Sequence, residues 1–377
     1  MLVAWFGHKS RTRGDGLITY SEEMTNGLRQ RGLRVIVFFH GREERDGLEA
    51  EDNVRIGSFN ILNRDVVSAP DALSVIERRL RQEKPDVAHV SLAFSQLDFS
   101  LPELCHSLGI PVVATLHFPY DRRTSFWGIL ATAMYRLYSL SLSRYDAIII
   151  FSEEQRQLLA GFGVPIERIH VIPNGVDTSR WSPGPSDYKT QVGADCLIAF
   201  CGRLDPEKNV GALLEAFERM NPPPGCKLVV VGDGVMAPLL RSRYADNSNI
   251  IFTGLIAEET ERVRILRAAD IFVLPSEVEG LSLSMLEAMS TGLATVATDV
   301  GGDSEALRGA GILIEPRHLD VQLPLALQIL LDFPEFRLLL GQRARQRATE
   351  YYDLNKNIDR VVNLYQDLVV EYRKGEN

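Results

Sequence analysis

The chain has 377 residues, a formal net charge of −9 and a near-average composition, 45% hydrophobic and 24% charged. That length is too great for one compact core and fits two doubly wound domains. The mild acidity gives neither half the basic footprint of a nucleic-acid binder, and no run reaches the roughly 18 apolar residues that a membrane span needs. The opening MLVAWFGHKSRTRG places its apolar residues before its basic ones, the reverse of a secretory signal, so the expected location is cytoplasmic. Cys105, Cys196, Cys201 and Cys226 form no CxxC pair and no His-linked metal spacing, and are read as reduced packing residues with no metal site.

In chain order, LVAWF predicts a strand, residues 20 to 31 an amphipathic helix, and RVIVFF, DVAHVSLAF, IPVVATLHF and DAIIIFS further strands. Short apolar runs alternating with amphipathic stretches predict an α/β fold, a parallel sheet covered by helices. The cluster of Pro, Gly, Asn and Ser in HVIPNGVDTSRWSPGPS reads as a linker, with a hinge between about 177 and 187. The same alternation then restarts with CLIAFCGR, a helix near 209 to 220, KLVVVGDG, NIIFTG, DIFVLPS and a helix around 284 to 291. From 333 the tail reads as two helices broken near Asp353. The expected domains are residues 1–178 and 187–352, with 353–377 a terminal helix packing back toward the first.

In the second half, Gly202-Arg203-Leu204-Asp205-Pro206-Glu207-Lys208-Asn209 follows a strand and precedes a helix. Open α/β sheets bind ligands at such strand ends. An Arg and a Lys beside a glycine can neutralise a diphosphate, the Arg as a bidentate fork and the Lys as a point charge; a solvated loop with an ordinary basic pair has the same local pattern. Residues 275–289, PSEVEGLSLSMLEAM, take another strand through a glycine turn into a helix whose free N–H groups can face an anion. Glu279 and Glu287 are expected to face one cleft. Two glutamates seven apart mean nothing alone; their setting between a buried strand and a small-residue helix is the informative feature.

These segments, PNGVD (173–177), GRLDPEKN (202–209), VVVGDG (229–234), IIFTG (250–254) and SEVEGLSLSMLEAMSTGLATVATDVGG (276–302), resemble the C-terminal domain of glycosyltransferase family 4. The resemblance implies a GT-B architecture, two Rossmann-like domains facing a central cleft, and retaining transfer of a hexosyl group from a nucleotide-sugar donor, a UDP-sugar by preference. It implies that Arg203 and Lys208, next to Gly202, hold the diphosphate. Glu279 would meet the transferred sugar, Glu287 the ribose, and Gly254 and Leu255 the base through backbone groups. Gly280, Leu281, Ser282 and Leu283 would shape the turn at the sugar. Ser282 stands where the family often has glycine, so the backbone there is expected to differ. Transfer in this family is ascribed to front-face attack, for which neither a metal nor another cofactor is expected.

In the first half, Gly14-Asp15-Gly16 occupies the place of the family's glycine loop over the diphosphate, with Asp15 replacing a glycine. His117, at the end of IPVVATLH, is by spacing alone a packing or surface residue; the resemblance makes it a hydrogen-bonding partner of the donor sugar. From Arg122 to Arg144 the chain holds four arginines and no acid, and Phe126, Trp127, Leu130, Met134, Leu137 and Tyr138 recur at helical spacing. Such a segment fits either an anionic membrane surface, at the inner face of which the protein would be peripheral, or a core-facing helix beside the acceptor. With WFG…GDGLITYSEEM it looks like the diacylglycerol-glycolipid synthases of the family. The alternative acceptors are a soluble sugar, a sugar phosphate or a polyprenyl-linked glycan. A non-catalytic nucleotide-sugar-binding module would be expected to lose Arg203, Lys208 or Glu287. A Rossmann oxidoreductase would place a third glycine in VGDGVMAPL, which lacks it.

Overall fold

The computed structural model describes residues 1–7, 16–41, 52–61, 64–92, 95–120 and 126–375. Gly14 and Asp15, and Arg122 and Arg123, lie outside them. The described residues form two units, Met1–Pro173 with Asn355–Asn377, and Asn174–Leu354.

The strands of the first unit are β1 (Leu2–Gly7), β2 (Arg34–Gly41), β3 (Asn53–Ile61), β4 (Arg64–Ser68), β5 (Val87–Leu92), β6 (Val112–Leu116), β7 (Ala147–Ile150) and β8 (Ile169–Val171). They form one sheet in the order β4-β3-β2-β1-β5-β6-β7-β8. All pairings are parallel except that of β3 with β4. The helices between them are α1 (Gly16–Gln30), α2 (Ala72–Glu83), α3 (Leu97–Ser107), α4 (Phe126–Leu142) and α5 (Glu153–Gly161). β5, β6 and β7 are buried along their whole length; β7 is an unbroken apolar run, whereas β5 and β6 also bury His89, Ser91 and Thr115, which find hydrogen-bond partners.

The second unit holds β9 (Cys196–Cys201), β10 (Cys226–Val231), β11 (Ile250–Gly254), β12 (Ile271–Leu274), β13 (Ala294–Thr298) and β14 (Ile312–Ile314). Its helices are α6 (Tyr188–Val192), α7 (Val210–Arg219), α8 (Ala237–Arg243), α9 (Glu259–Ala268), α10 (Leu283–Thr291), α11 (Gly301–Leu307), α12 (Leu319–Asp332) and α13 (Pro334–Tyr351). The sheet is parallel, in the order β11-β10-β9-β12-β13-β14. Strand order reverses between β9 and β12, which makes the carboxyl edge of these two strands the switch point at which open α/β sheets bind ligands.

The last helix, α14 (Leu354–Gly375), packs on the first unit. Gly27 of α1 lets it approach: a Cβ there would lie 2.2 Å from Ile358 Cδ1. Arg31 pairs with Asp359 at 2.5 Å, and Asn357 Nδ2 donates to Pro173 O at 3.1 Å. The division falls at Pro173/Asn174 rather than within 177–187. The reason is a short pairing of the outgoing and returning chain: Val176 N donates to Tyr352 O at 2.8 Å and Leu354 N to Val176 O at 3.0 Å. Residues 177–187 therefore already belong to the second unit, where Trp181 is buried.

Candidate functional site

In the second unit the loop after β9 makes a short 3-10 turn, Pro206–Lys208, and Asn209 closes it in the left-handed region (φ 50) before α7 starts. The turn carries Lys208 toward the loop after β12. There Lys208 Nζ pairs with Glu279 Oε1, which also accepts from Ser276 Oγ at 2.7 Å. Glu279 is buried and the Lys208 side chain nearly so. The two loops are joined by backbone as well, Glu277 N donating to Glu207 O at 2.8 Å. Removing one member of so buried a pair leaves the other charge uncompensated, at a cost of about 3–5 kcal/mol.

Two glycines make this crowding feasible. Gly232, after β10, has φ +137, and a Cβ on it would lie 1.9 Å from Gly202 O; Gly301, at the start of α11, has φ +53, and its Cβ would lie 1.9 Å from Glu279 O. No L side chain fits either place without moving the backbone. The sequence marks Gly202 and Gly280 singly, and Gly232 and Gly301 only as parts of the matched segments 229–234 and 276–302.

Arg203 is largely exposed and pairs with Asp205 at 2.7 Å and Glu207 at 3.1 Å, both on its own loop. It is not joined directly to the Lys208–Glu279 pair. Glu287 sits half-buried on α10. The Cys201 thiol, at the end of β9, is pushed up to about 12, chiefly by burial and secondarily by the charge of Glu287. Gly254 ends β11 in the left-handed region (φ +76), and Leu255 beside it is exposed.

α10 begins at the turn 280–283. Ser282 is its N-cap, its Oγ accepting from Met285 N at 3.4 Å. Its first turn carries no acidic side chain, so the positive end of the helix is not neutralised from within. The serine found in place of glycine thus has a local role, capping the helix. Its own N–H is already taken, donating to Asp303 Oδ1 at 2.7 Å. Ser276, Asn174 and Asp303 were not singled out from sequence. Each acts on a partner outside its own helix or strand; Asn174 and Ser276 lie within the matched motifs, whereas Asp303 lies one residue beyond the last of them.

In the first unit His117 follows β6 and is half-buried. Its Nε2 lies 2.9 Å from Ser91 Oγ, and its ring meets Tyr20 edge-on at 4.6 Å between centroids and Phe151 at 5.3 Å. Beneath it lies a buried polar chain. His89 Nε2 is 2.7 Å from Thr115 Oγ1, which is 3.2 Å from Tyr20 Oη, while His89 Nδ1 bonds Tyr365 Oη of α14. Burial drops His89 to about 3, so it is neutral. Gly16 is the first residue of α1 and is exposed.

The helix predicted between Arg122 and Arg144 is α4, but the apolar positions named from its spacing do not share one face. Tyr138 is buried, with Tyr135 and Leu142, whereas Leu130 and Leu137 are exposed along with Ile129 and Leu140. The helix is apolar on most of its circumference, and the sheet covers only one side of it; the side chains of Phe126 and Trp127 lie outside the described residues.

A family profile described as Glycosyltransferase Family 4 matches residues 14–180, and one described as Glycosyl transferases group 1 matches residues 195–332. Over 341 residues, 85% of this chain and 86% of the relative, the chain is 27% identical to the UDP-Gal:alpha-D-GlcNAc-diphosphoundecaprenol alpha-1,3-galactosyltransferase of Escherichia coli. It is 28% identical to a Mycobacterium tuberculosis glycogen synthase over 79% of this chain and 68% of the relative. Among solved structures, sucrose-phosphate synthase from Thermosynechococcus elongatus superposes with a TM-score of 0.80 at 19% identity, covering 98% of this chain and 99% of that one. Anabaena HepE in complex with UDP-glucose gives 0.76 at 16% identity, covering 97% and 100%. The two matched segments span most of the chain and meet both observed units: the chain belongs to glycosyltransferase family 4, has the GT-B fold and is a hexosyltransferase.

Proposed function

We propose that this hexosyltransferase takes its sugar from a UDP-sugar and transfers it, with retention and without a metal, to a lipid-linked acceptor at an anionic membrane surface. The observation that carries the donor half is the buried Lys208–Glu279–Ser276 cluster at the switch point of the second sheet. Lys208 and the N-terminus of α10 supply positive potential where a diphosphate leaving group develops charge. Arg203 would join them by leaving Asp205 and Glu207, exposed pairs worth about 0–1 kcal/mol each. Glu279, engaged by Lys208 and Ser276, is set to accept hydrogen bonds from sugar hydroxyls rather than to attack the anomeric carbon. With no enzymic nucleophile, the leaving diphosphate takes the acceptor proton as the new bond forms on the same face, and the protein supplies position and charge. Glu287 is assigned to the ribose, Gly254 and Leu255 to the base, and His117 to a sugar hydroxyl.

The acceptor half rests on α4, where Ile129, Leu137 and Leu140 are 51–73% exposed on a segment without acids. No helix among the described residues is long and apolar enough to cross a membrane, so contact would be peripheral. The E. coli relative's name gives it a UDP-sugar and a polyprenol-diphosphate-linked acceptor, and the HepE structure holds UDP-glucose. A diacylglycerol-anchored glycolipid presents the same chemistry, a sugar headgroup at a membrane surface. The test is transfer from UDP-, GDP- and ADP-sugars with and without anionic liposomes carrying a glycosyl-diacylglycerol or a polyprenyl-diphosphate sugar, each repeated in EDTA. The expected result is transfer from a UDP-sugar that needs liposomes and survives chelation. Transfer to soluble sugars alone overturns the acceptor assignment, and loss in EDTA overturns the metal-independent one.

A further inference from the structure

The peptide unit joining Leu281 to Ser282 is held at both ends by buried side chains from distant parts of the second unit. Asn174 Nδ2 donates to Leu281 O at 3.2 Å, and Ser282 N donates to Asp303 Oδ1 at 2.7 Å. Asn174 is 8% exposed and Asp303 1%. Each keeps a second polar atom that is buried without a partner, Asn174 Oδ1 and Asp303 Oδ2. Buried unpaired atoms are costly and need a reason. The backbone around the grip is equally tight: Gly302 N donates to Gly280 O at 2.6 Å, and a Cβ on Gly302 would lie 2.6 Å from that oxygen.

We propose that Asn174 and Asp303 are positioning residues for the donor sugar, which clamp the Leu281–Ser282 peptide and so fix the shape of the 280–283 turn that follows Glu279. The inference rests on the reading of Glu279 and this turn as the sugar site. It gives the serine departure a consequence: with the carbonyl of Leu281 and the amide of Ser282 both committed inside the protein, this peptide offers the sugar neither group. Sugar recognition then falls to Glu279 and to the neighbouring amides whose directions the clamp sets. Asp303 works in its neutral form. Burial, then the charge of Glu279, hold its carboxyl well above the ordinary carboxylate range, against the opposing pull of the Ser282 N–H and Lys208. A neutral acid keeps an acceptor for Ser282 and adds no second negative charge beside Glu279.

The clamp predicts a split between nucleotide and sugar that a merely structural role would not produce. Binding of UDP, UDP-glucose and UDP-galactose, and donor KM and kcat, would be measured for wild type, Asp303→Asn, Asp303→Leu, Asn174→Leu and Lys208→Ala. Asp303→Asn keeps an acceptor and a hydrogen-bearing partner atom, and should stay within about threefold of wild type. Asp303→Leu and Asn174→Leu each lose one hydrogen bond of the grip. They should weaken UDP-sugar binding by about tenfold and alter the glucose-to-galactose ratio, while UDP itself binds as before. UDP and UDP-sugar weakening in parallel, or unchanged selectivity in both clamp variants, overturns the proposal. Should Asp303→Leu fail to fold, Asn174→Leu alone decides, since it removes the donor at nearly constant size and introduces no charge. Lys208→Ala separates the two readings: it should weaken UDP and UDP-sugar alike, and if it weakens neither, the donor-site reading itself fails.

Discussion

In the second unit the loops at the switch point are tied backbone to backbone, Glu277 to Glu207 and Gly302 to Gly280, and glycines are required where they touch. In the first unit the corresponding ground after β6 is built from side chains, His117 on Ser91, Tyr20 and Phe151, and its neighbour α4 leaves apolar residues uncovered. A backbone-built site tolerates few sequences, because each glycine and each buried charge has one solution. A site built from side chains on a helix surface can be refitted by substitution without disturbing the sheet. That contrast predicts that substitutions are tolerated more readily around His117 and α4 than around Gly232, Gly301 and Glu279.

The strongest way to break the comparison is Lys208→Ala. If the second unit is the rigid, charge-bearing half, losing this cation should cost about 100- to 1,000-fold in kcat, measured well below the variant's melting temperature, which should itself fall because Glu279 is left buried without its partner. Near-normal turnover in a steady-state assay would remove the diphosphate assignment. The first unit should behave differently. Replacing Ile129, Leu137 and Leu140 together by Ser should leave turnover of a short soluble acceptor analogue within about twofold, because these side chains are already exposed and surface changes are usually small. Co-sedimentation with anionic liposomes should fall about tenfold or more, at roughly 25 cal/mol for each Å² of apolar surface withdrawn from water. Equal sedimentation of variant and wild type would return α4 to an ordinary surface.

How far each half could be read from sequence follows the same contrast. The fully buried strands β5, β6 and β7 stood out as short runs dominated by apolar residues, and Arg203, Lys208 and Glu279 stood out as charged residues at the ends of such strands. Asn174 and Asp303 did not, since their partners lie 107 and 21 residues away and no local period marks such pairs. α4 was legible as a helix but not in its faces. A helix apolar on nearly every side satisfies the same spacing whichever side the sheet covers, so Leu137 and Tyr138, adjacent in sequence, ended on opposite sides of the surface. The Gly14-Asp15 loop lies outside the described residues, and its assignment stays an inference from the resemblance.

The smallest expected effect is also the one that sets the two units most directly against each other, through pH. His89 in the first unit is held neutral by burial, at about 3 against an ordinary 6.5. Between those values the unfolded chain binds a proton that the folded one refuses, so this unit loses stability as pH falls through that window. Asp303 in the second unit has the opposite sign. Its folded carboxyl keeps a proton that the unfolded chain, near 3.8, has released, so its contribution is greatest in acid and declines as pH rises from 3.8 toward the folded value. Glu279, Lys208 and Tyr352 are the ionisable neighbours that share this field. In mild acid the two slopes oppose each other, and the stability of the whole chain should vary less with pH than that of either unit. Hydrogen exchange resolved by segment would separate them, with protection of β5 falling toward pH 4.5 while that of α11 rises. Asp303→Asn should flatten the α11 profile and leave β5 unchanged; a flat α11 profile already in the wild type would mean that Asp303 is ionised in the fold and that the clamp holds Ser282 with a carboxylate.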